Sequence, residues 1–143
     1  MAGASLLEVM IAVFVLAIGL LGIAALQAVA LKNTNSSAGR SNAVMQSYAI
    51  LDMMRANREA ARAGQYDQGW LCEPIDVDPD TPASRVTADI NLWVSQMQEA
   101  MGPSACGRID CGADSCEVGV RWDDSRGTGG QADPQELETV SRL

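Results

Sequence analysis

A single apolar stretch at residues 4–31 limits what the rest of the chain can fold into. Its only ionisable side chain is Glu8, and the 18 residues from Val9 to Leu26 carry no polar side chain. A helix of this length, rising about 1.5 Å per residue, can cross a hydrocarbon core of about 30 Å. The sequence therefore predicts a membrane-spanning helix over residues 4–31.

Glu8 is the residue in this stretch that most needs a physical explanation. A carboxylate inside a membrane helix costs roughly 2.5 to 3.5 kcal/mol on insertion scales, so we expect it to meet a cation. The alternative is an acid that is tolerated near the N-terminus of the helix, where the helix dipole favours it and the side chain can reach the membrane surface.

The composition changes sharply after residue 31. All ten basic residues lie at or beyond Lys32, together with 17 of the 18 acids, which gives this part a net charge of −7. No basic cluster stands clear of acids, so nucleic-acid binding is disfavoured. The remaining residues are enough for one small domain.

Four cysteines in a chain without histidine favour disulfides over a zinc site, and disulfides indicate an oxidising compartment. The spacing of Cys72, Cys106, Cys111 and Cys116 matches no common zinc site, and two disulfides fit an exported domain better. The sequence alone does not fix their pairing. A hairpin turn between Cys111 and Cys116 would bring these two together and leave Cys72 for Cys106.

The helix is predicted to continue beyond the membrane as a neck, residues 32–63, and to stop at Gly64. Helical spacing places four residues on one face that we expect to be buried: Val44, Tyr48, Leu51 and Met54. Three arginines extend this stripe, with Asp52 and Glu59 as candidate partners: Arg55, Arg58 and Arg62. They are interpreted either as a solvated end of the helix or as a contact to an acidic partner subunit.

The rest of the chain predicts an α+β head over residues 64–143. A second helix is expected from Ser84 to Met101, with one buried face: Ile90, Trp93, Met97 and Met101. About three antiparallel strands follow, at Gly107–Cys111, Cys116–Trp122 and Leu137–Leu143. Their composition predicts loops at residues 66–82 and a mobile loop at residues 123–134.

The acidic loop before the second helix resembles the start of a calcium-binding loop at Asp76, Asp78 and Asp80. It lacks the glycine and the final acid that such a loop requires, so a solvated loop is expected instead. The chain has no histidine and no nucleophile elbow. We therefore expect no metal, no cofactor and no catalysis.

The residues from Gly3 to Ala12 resemble the processing motif of type IV prepilins and type II secretion pseudopilins: Gly-Ala-Ser-Leu-Leu-Glu-Val-Met-Ile-Ala. This resemblance implies that residues 1–3 end a leader and that a prepilin peptidase cuts between Gly3 and Ala4 and methylates the new amine. Part of the leader would precede Met1. Glu8 would be the fifth mature residue, docking against the N-terminal amine of a neighbouring subunit.

Further motifs are similar to PilV-type minor pilins of type IV pili: Gly19-Leu20-Leu21-Gly22, Asp52 to Arg58, and Val120-Arg121-Trp122-Asp123. The resemblance implies a pilin-like fold with a long N-terminal helix packed on a small head. It implies a subunit that joins other minor pilins in a complex priming pilus assembly and supports adhesin display and twitching. The expected partners are other minor pilins, a tip adhesin and the inner-membrane assembly platform.

The same resemblance implies a single-pass inner-membrane protein whose head lies in the periplasm, and which sits at the pilus tip when assembled. Two other classes stay open. A pseudopilin of a secretion tip complex shares the motif, and gene context would separate it. A singly anchored periplasmic enzyme or binding protein would need convergent polar groups in a pocket.

Overall fold

The computed structural model describes residues 5–77, 84–128 and 134–143. The chain is α+β, with a long N-terminal helix and a small head that contains a four-stranded antiparallel sheet. Its elements, in chain order, are α1 (Leu6–Ala56), α2 (Arg58–Arg62), β1 (Gln68–Leu71), α3 (Arg85–Met101), β2 (Cys106–Cys111), β3 (Ser115–Asp123), α4 (Ser125–Thr128) and β4 (Pro134–Arg142).

Helix α1 buries only a stripe near its C-terminal end, against α3 and the sheet. The buried residues are Ala43, Ser47, Ile50, Leu51 and Met54. The prediction for Leu51 and Met54 is confirmed, but that for Val44 and Tyr48 is wrong, because they are 40% and 51% exposed. The small side chains of Ala43 and Ser47 let the head approach α1 closely, so docking uses a face rotated away from the larger apolar residues.

The sequence predicted one continuous helix to residue 63, but α1 ends at Ala56. Asn57 leaves the helical region with φ −129° and ψ 49°, and the chain resumes as the short helix α2. The side-chain amide of Asn57 donates to the hydroxyl of Tyr66 at 3.2 Å, and that hydroxyl donates to Asp89 of α3 at 2.6 Å. Gly64 then ends the helical segment with φ +70°, as expected for a helix-stop glycine.

The Tyr66 network predicts a loss of stability at high pH. Burial raises the pKa of Tyr66 above its ordinary value of 10.0, and the hydrogen bond to Asp89 adds to this rise. The unfolded chain therefore releases this proton before the folded one does. The stability that depends on Tyr66 is complete below about pH 10 and is lost as the pH rises through the folded-state pKa.

Urea unfolding of the head at about pH 9 and pH 11 measures this effect. From the lower to the higher pH, the free energy of unfolding should fall more in wild type than in Tyr66→Phe, because phenylalanine has no proton to release. Equal losses in the two proteins would contradict a role for this hydroxyl.

Helix α3 agrees closely with its prediction. The hydroxyl of Ser84 caps it by accepting from the backbone N–H of Thr87 at 3.1 Å. Its predicted buried face is confirmed: Ile90, Trp93, Met97 and Met101. The indole of Trp93 donates to the backbone oxygen of Gln46 in α1 at 2.9 Å, which joins the two helices.

The sheet has the strand order β1-β2-β3-β4, one strand more than the approximately three expected. The hairpin of β2 and β3 is confirmed, with Cys111 opposite Cys116. The extra strand, β1, lies in a segment predicted to be a loop. It is only four residues long and pairs with β2 through an irregular register, so its local pattern carries little signal.

Two disulfides cross-link this sheet. Cys72 is bonded to Cys106 and Cys111 to Cys116, the pairing that the hairpin argument favoured. The first joins the end of β1 to the start of β2, and the second closes the hairpin turn.

The segment predicted as a mobile loop at residues 123–134 contains α4, which packs against α1. Asp123 accepts from the backbone N–H of Ser125 at 2.8 Å, and Ser36 of α1 donates to Asp124 at 2.7 Å. The loop prediction was therefore wrong for residues 125–128. Residues 129–133 lie outside the described residues.

Candidate functional site: the N-terminal helix and its neck

The N-terminal half of α1 makes no packing contact with the head. Every residue from Leu6 to Leu31 is exposed in the single chain. Its most apolar 18-residue window has a mean hydropathy of 2.9, and among the described residues α1 is the one helix long and apolar enough to cross a membrane. Soluble monomers rarely expose so large an apolar surface, and by its length and composition this helix could cross a membrane.

Glu8 lies in the first turn of this helix. Its backbone N–H donates to the carbonyl of Ser5 at 3.0 Å, and its side chain is exposed. Within the described part of the single chain, Glu8 forms no ion pair. A cation for Glu8 would therefore have to come from outside those residues. The expected processing residues, Gly3 and Ala4, lie outside the described part of the chain.

The neck, residues 32–63, has an exposed apolar ridge on the side that the head does not cover. We call Val44, Met45 and Tyr48 the neck ridge; Met45 is 59% exposed. The sequence predicted that two of these residues, Val44 and Tyr48, are buried, without identifying what covers them. Because both are exposed in the single chain, the head does not cover them, and a contact that buries them would come from another molecule.

The three arginines at the C-terminal end of the neck, Arg55, Arg58 and Arg62, do not act as one group. Arg55 pairs with Asp52 at 2.6 Å and donates to the hydroxyl of Ser141 in β4 at 2.8 Å, so it holds the helix to the sheet. Arg58 and Arg62 are exposed and form no ion pair within the described residues, and neither does Glu59. Of these three, Arg58 and Arg62 are free to contact a partner.

A second polar cluster covers the outer face of the sheet, the face turned away from α1. Arg108 contacts Glu117 and pairs with Glu138 at 2.7 Å. The guanidinium of Arg121 lies 4.6 Å from the ring centre of Trp70. These contacts join all four strands, so they stabilise the sheet. Sequence patterning did not find this cluster, since its members come from four separate strands.

A cleft of about 160 Å³ lies where α1, the end of α3 and the end of β3 meet. Its lining includes Asn35, Asn42, Asp123 and Asp124. Asn42 donates to the backbone oxygen of Ala100 at 3.4 Å. Trp122 forms one wall of the cleft. Its indole nitrogen lies 2.8 Å from the position that a Cβ atom at residue 39 would occupy, so Gly39 allows this close approach. The cleft is therefore mainly a seam that joins the head to the neck.

No group of three or more potential metal ligands occurs among the residues that the structure describes. Of the three acids that resemble a calcium loop, Asp76 is exposed, while Asp78 and Asp80 lie outside the described residues. The four cysteines are all in disulfides.

Comparison with known proteins finds no matching protein family, no matching curated protein and no matching solved structure.

Proposed function

We propose that this chain is a PilV-type minor pilin, a subunit that joins other minor pilins to prime type IV pilus assembly. The observation that carries the proposal is α1: a helix of 51 residues whose apolar N-terminal half contacts nothing in the head and carries one acid, Glu8. Such a helix can sit in a membrane and later pack among similar helices in a filament. The acid would set the axial position of each subunit by meeting a neighbour's cation.

The neck ridge supports the same function. It is apolar, exposed and continuous with the membrane-spanning part through one unbroken helix. A helix from a neighbouring subunit that lies along the membrane-spanning part would reach the ridge without bending. The ridge would then be buried only in the assembled complex.

Under this proposal the chain acts by assembly and not by catalysis. A prepilin peptidase would cut between Gly3 and Ala4, and the inner-membrane assembly platform would receive the mature chain. The head would lie in the periplasm and, after assembly, at the pilus tip, where the minor-pilin complex supports a tip adhesin and twitching motility. Two disulfides in the head fit an oxidising compartment.

Arg58 and Arg62 give this proposal a residue-level prediction. Reversing both charges, as Arg58→Glu with Arg62→Glu, should weaken copurification of partner subunits by up to about thirtyfold, because each of two exposed ion pairs contributes up to about 1 kcal/mol. The head should stay folded, since neither side chain has an ion pair to lose within the described residues.

Arg142→Glu is the matched control, because Arg142 is an exposed arginine on β4 at the outer face of the sheet. Quantitative pull-down at two salt concentrations measures the effect. If the double reversal binds partners as wild type does, these arginines belong to a solvated helix end.

The function itself is tested by pull-down of the intact chain and by gene deletion. We expect the chain to copurify with minor pilins, and deletion to reduce surface pili while the amount of major pilin stays normal. Copurification with secretion-system subunits, and a secretion defect without a pilus defect, would instead assign it to the pseudopilins. Normal piliation and normal secretion after deletion would refute both.

A singly anchored binding protein is the remaining alternative, and the polar cleft between neck and head is the feature that favours it. The cleft is small and much of its lining is already hydrogen-bonded within the chain: Ser36 donates to Asp124, and Asn42 to Ala100. The free apolar surface of α1 and its neck ridge is far more extensive, so subunit assembly is the better-supported proposal.

A further inference from the structure

The membrane-spanning part of α1 has one charged residue at each end. Between Glu8 and Lys32 lie 23 residues, 9–31, none with an ionisable side chain. All of them belong to one uninterrupted helix, and both charged side chains are exposed. At about 1.5 Å per residue, the two charged residues are about 36 Å apart along the axis.

This separation is close to the thickness of a bilayer. A hydrocarbon core of about 30 Å fits between Glu8 and Lys32 and leaves about 6 Å to spare, which a modest tilt can absorb. Both charges can then lie among headgroups on opposite faces of the membrane. The chain therefore does not need to bury Glu8 in hydrocarbon while it resides in the bilayer.

Movement along the membrane normal is opposed in both directions. Movement toward the N-terminal side draws Lys32 into the hydrocarbon and brings the head against the surface, since the head already contacts α1 at Ser36 through Asp124. Movement toward the head side beyond the spare distance draws the carboxylate of Glu8 into the hydrocarbon. Either displacement desolvates a charge.

We propose that Glu8 and Lys32 form an electrostatic bracket that holds α1 at one depth in the bilayer, with Glu8 as the stop against withdrawal on the head side. This inference needs only the membrane span and not the pilin function. If the proposed pilin function also holds, a cation from a neighbouring subunit would remove the stop by neutralising Glu8. Extraction from the membrane would then be coupled to docking.

Bilayers of graded thickness test the bracket directly. The full chain is placed in lipid nanodiscs, which expose both membrane faces, made from monounsaturated phosphatidylcholines of increasing chain length. Carboxylates are labelled with a water-soluble carbodiimide and an amine. Lys32, the only lysine in the chain, is labelled with a succinimidyl ester. Peptide mass spectrometry measures the labelling of each residue and distinguishes label on Lys32 from label on the N-terminal amine. The exposed Glu99 serves as the reference carboxylate.

In thin bilayers Glu8 should be labelled as fully as Glu99, and Lys32 as fully as in detergent solution. Once the hydrocarbon exceeds about 36 Å, the two charges compete for the surface and labelling of both should fall. Glu8→Gln removes one of the two competing charges. In the thick bilayers the labelling of Lys32 should then be about tenfold higher in this variant than in wild type. Lys32→Gln should preserve the labelling of Glu8 in the same way, and Val9→Leu, which keeps both charges, should change neither profile.

Two results would overturn the bracket. Protection of Glu8 in the thinnest bilayers would mean that the carboxylate is buried from the start. A Lys32 profile that Glu8→Gln leaves unchanged would mean that the two charges do not compete. Neither result bears on partner binding, so the proposed minor-pilin function would stand or fall separately by pull-down.

Discussion

Replacing Glu8 by leucine should leave the chain in the membrane but sharply reduce its docking to partner subunits. Losing the carboxylate removes the proposed stop on the depth of α1 but also makes the helix more apolar, so the chain still resides in the membrane. In an assembled complex, however, the partner's cation would be left buried without a counterion. That loss costs about 3 to 5 kcal/mol, more than a hundredfold in the dissociation constant.

The measurements for this prediction are pull-down with minor pilins, counts of surface pili and twitching zones, each compared with the amount of major pilin. Val9→Leu is the matched control, because it changes the next residue of the same helix and keeps the charge. We expect Val9→Leu to behave as wild type. If Glu8→Leu retains its partners and piliation is unchanged, Glu8 does not set the docking register.

Local sequence patterns predicted the elements whose stability is local or whose buried face is strongly apolar. Helix α3 is an example, since its cap at Ser84 and its face around Trp93 both follow from spacing. The hairpin was equally readable, because β3 alternates apolar and polar residues around a turn flanked by Cys111 and Cys116.

The features that the sequence did not predict share a physical cause: each depends on contacts with residues that are distant in the sequence. The face of α1 that docks is set by the shape of the head, so the small residues Ala43 and Ser47 are buried while Val44 stays exposed. Strand β1 exists because β2 offers it an edge. The break at Asn57 depends on Tyr66, nine residues further on, and on Asp89. No pattern within one segment encodes these choices.

The same distinction applies to the candidate site. Glu8 and the apolar run were evident from the sequence, because a lone charge in such a segment is a local signal. The neck ridge and the division of the arginines were not, because both depend on which side of α1 the head covers. Arg55 donates to Ser141 across the fold, which leaves Arg58 and Arg62 unpaired among the three arginines at the C-terminal end of the neck.

Removing the Cys72–Cys106 disulfide should destabilise the head more than any other change to its cysteines. This bridge spans a sequence separation of 34 residues, whereas Cys111–Cys116 spans five. In the chain-entropy model the longer loop is worth about 4 kcal/mol and the shorter about 2 kcal/mol. A loss of about 4 kcal/mol is a large part of the 5 to 15 kcal/mol that holds a typical domain folded.

The long bridge also supports the shortest strand of the sheet. Strand β1 is four residues long, lies at the edge of the sheet and pairs irregularly with β2. Without the bridge, Cys72 keeps one further tie, the hydrogen bond that Gln98 donates to its carbonyl at 2.6 Å. We therefore expect β1 and the loop that follows it to open first, before the packing around Trp93 is lost.

The double variant Cys72→Ala with Cys106→Ala tests this order, and Cys111→Ala with Cys116→Ala is the matched control. Urea unfolding of the full chain in detergent, followed by near-ultraviolet circular dichroism of the tryptophans, gives the free energy of unfolding for each. The long-bridge variant should lose about 2 kcal/mol more than the control, and hydrogen exchange should show β1 deprotected first. Equal losses, or a larger loss in the control, would mean that the geometry of the hairpin governs the stability of the head more than loop closure does.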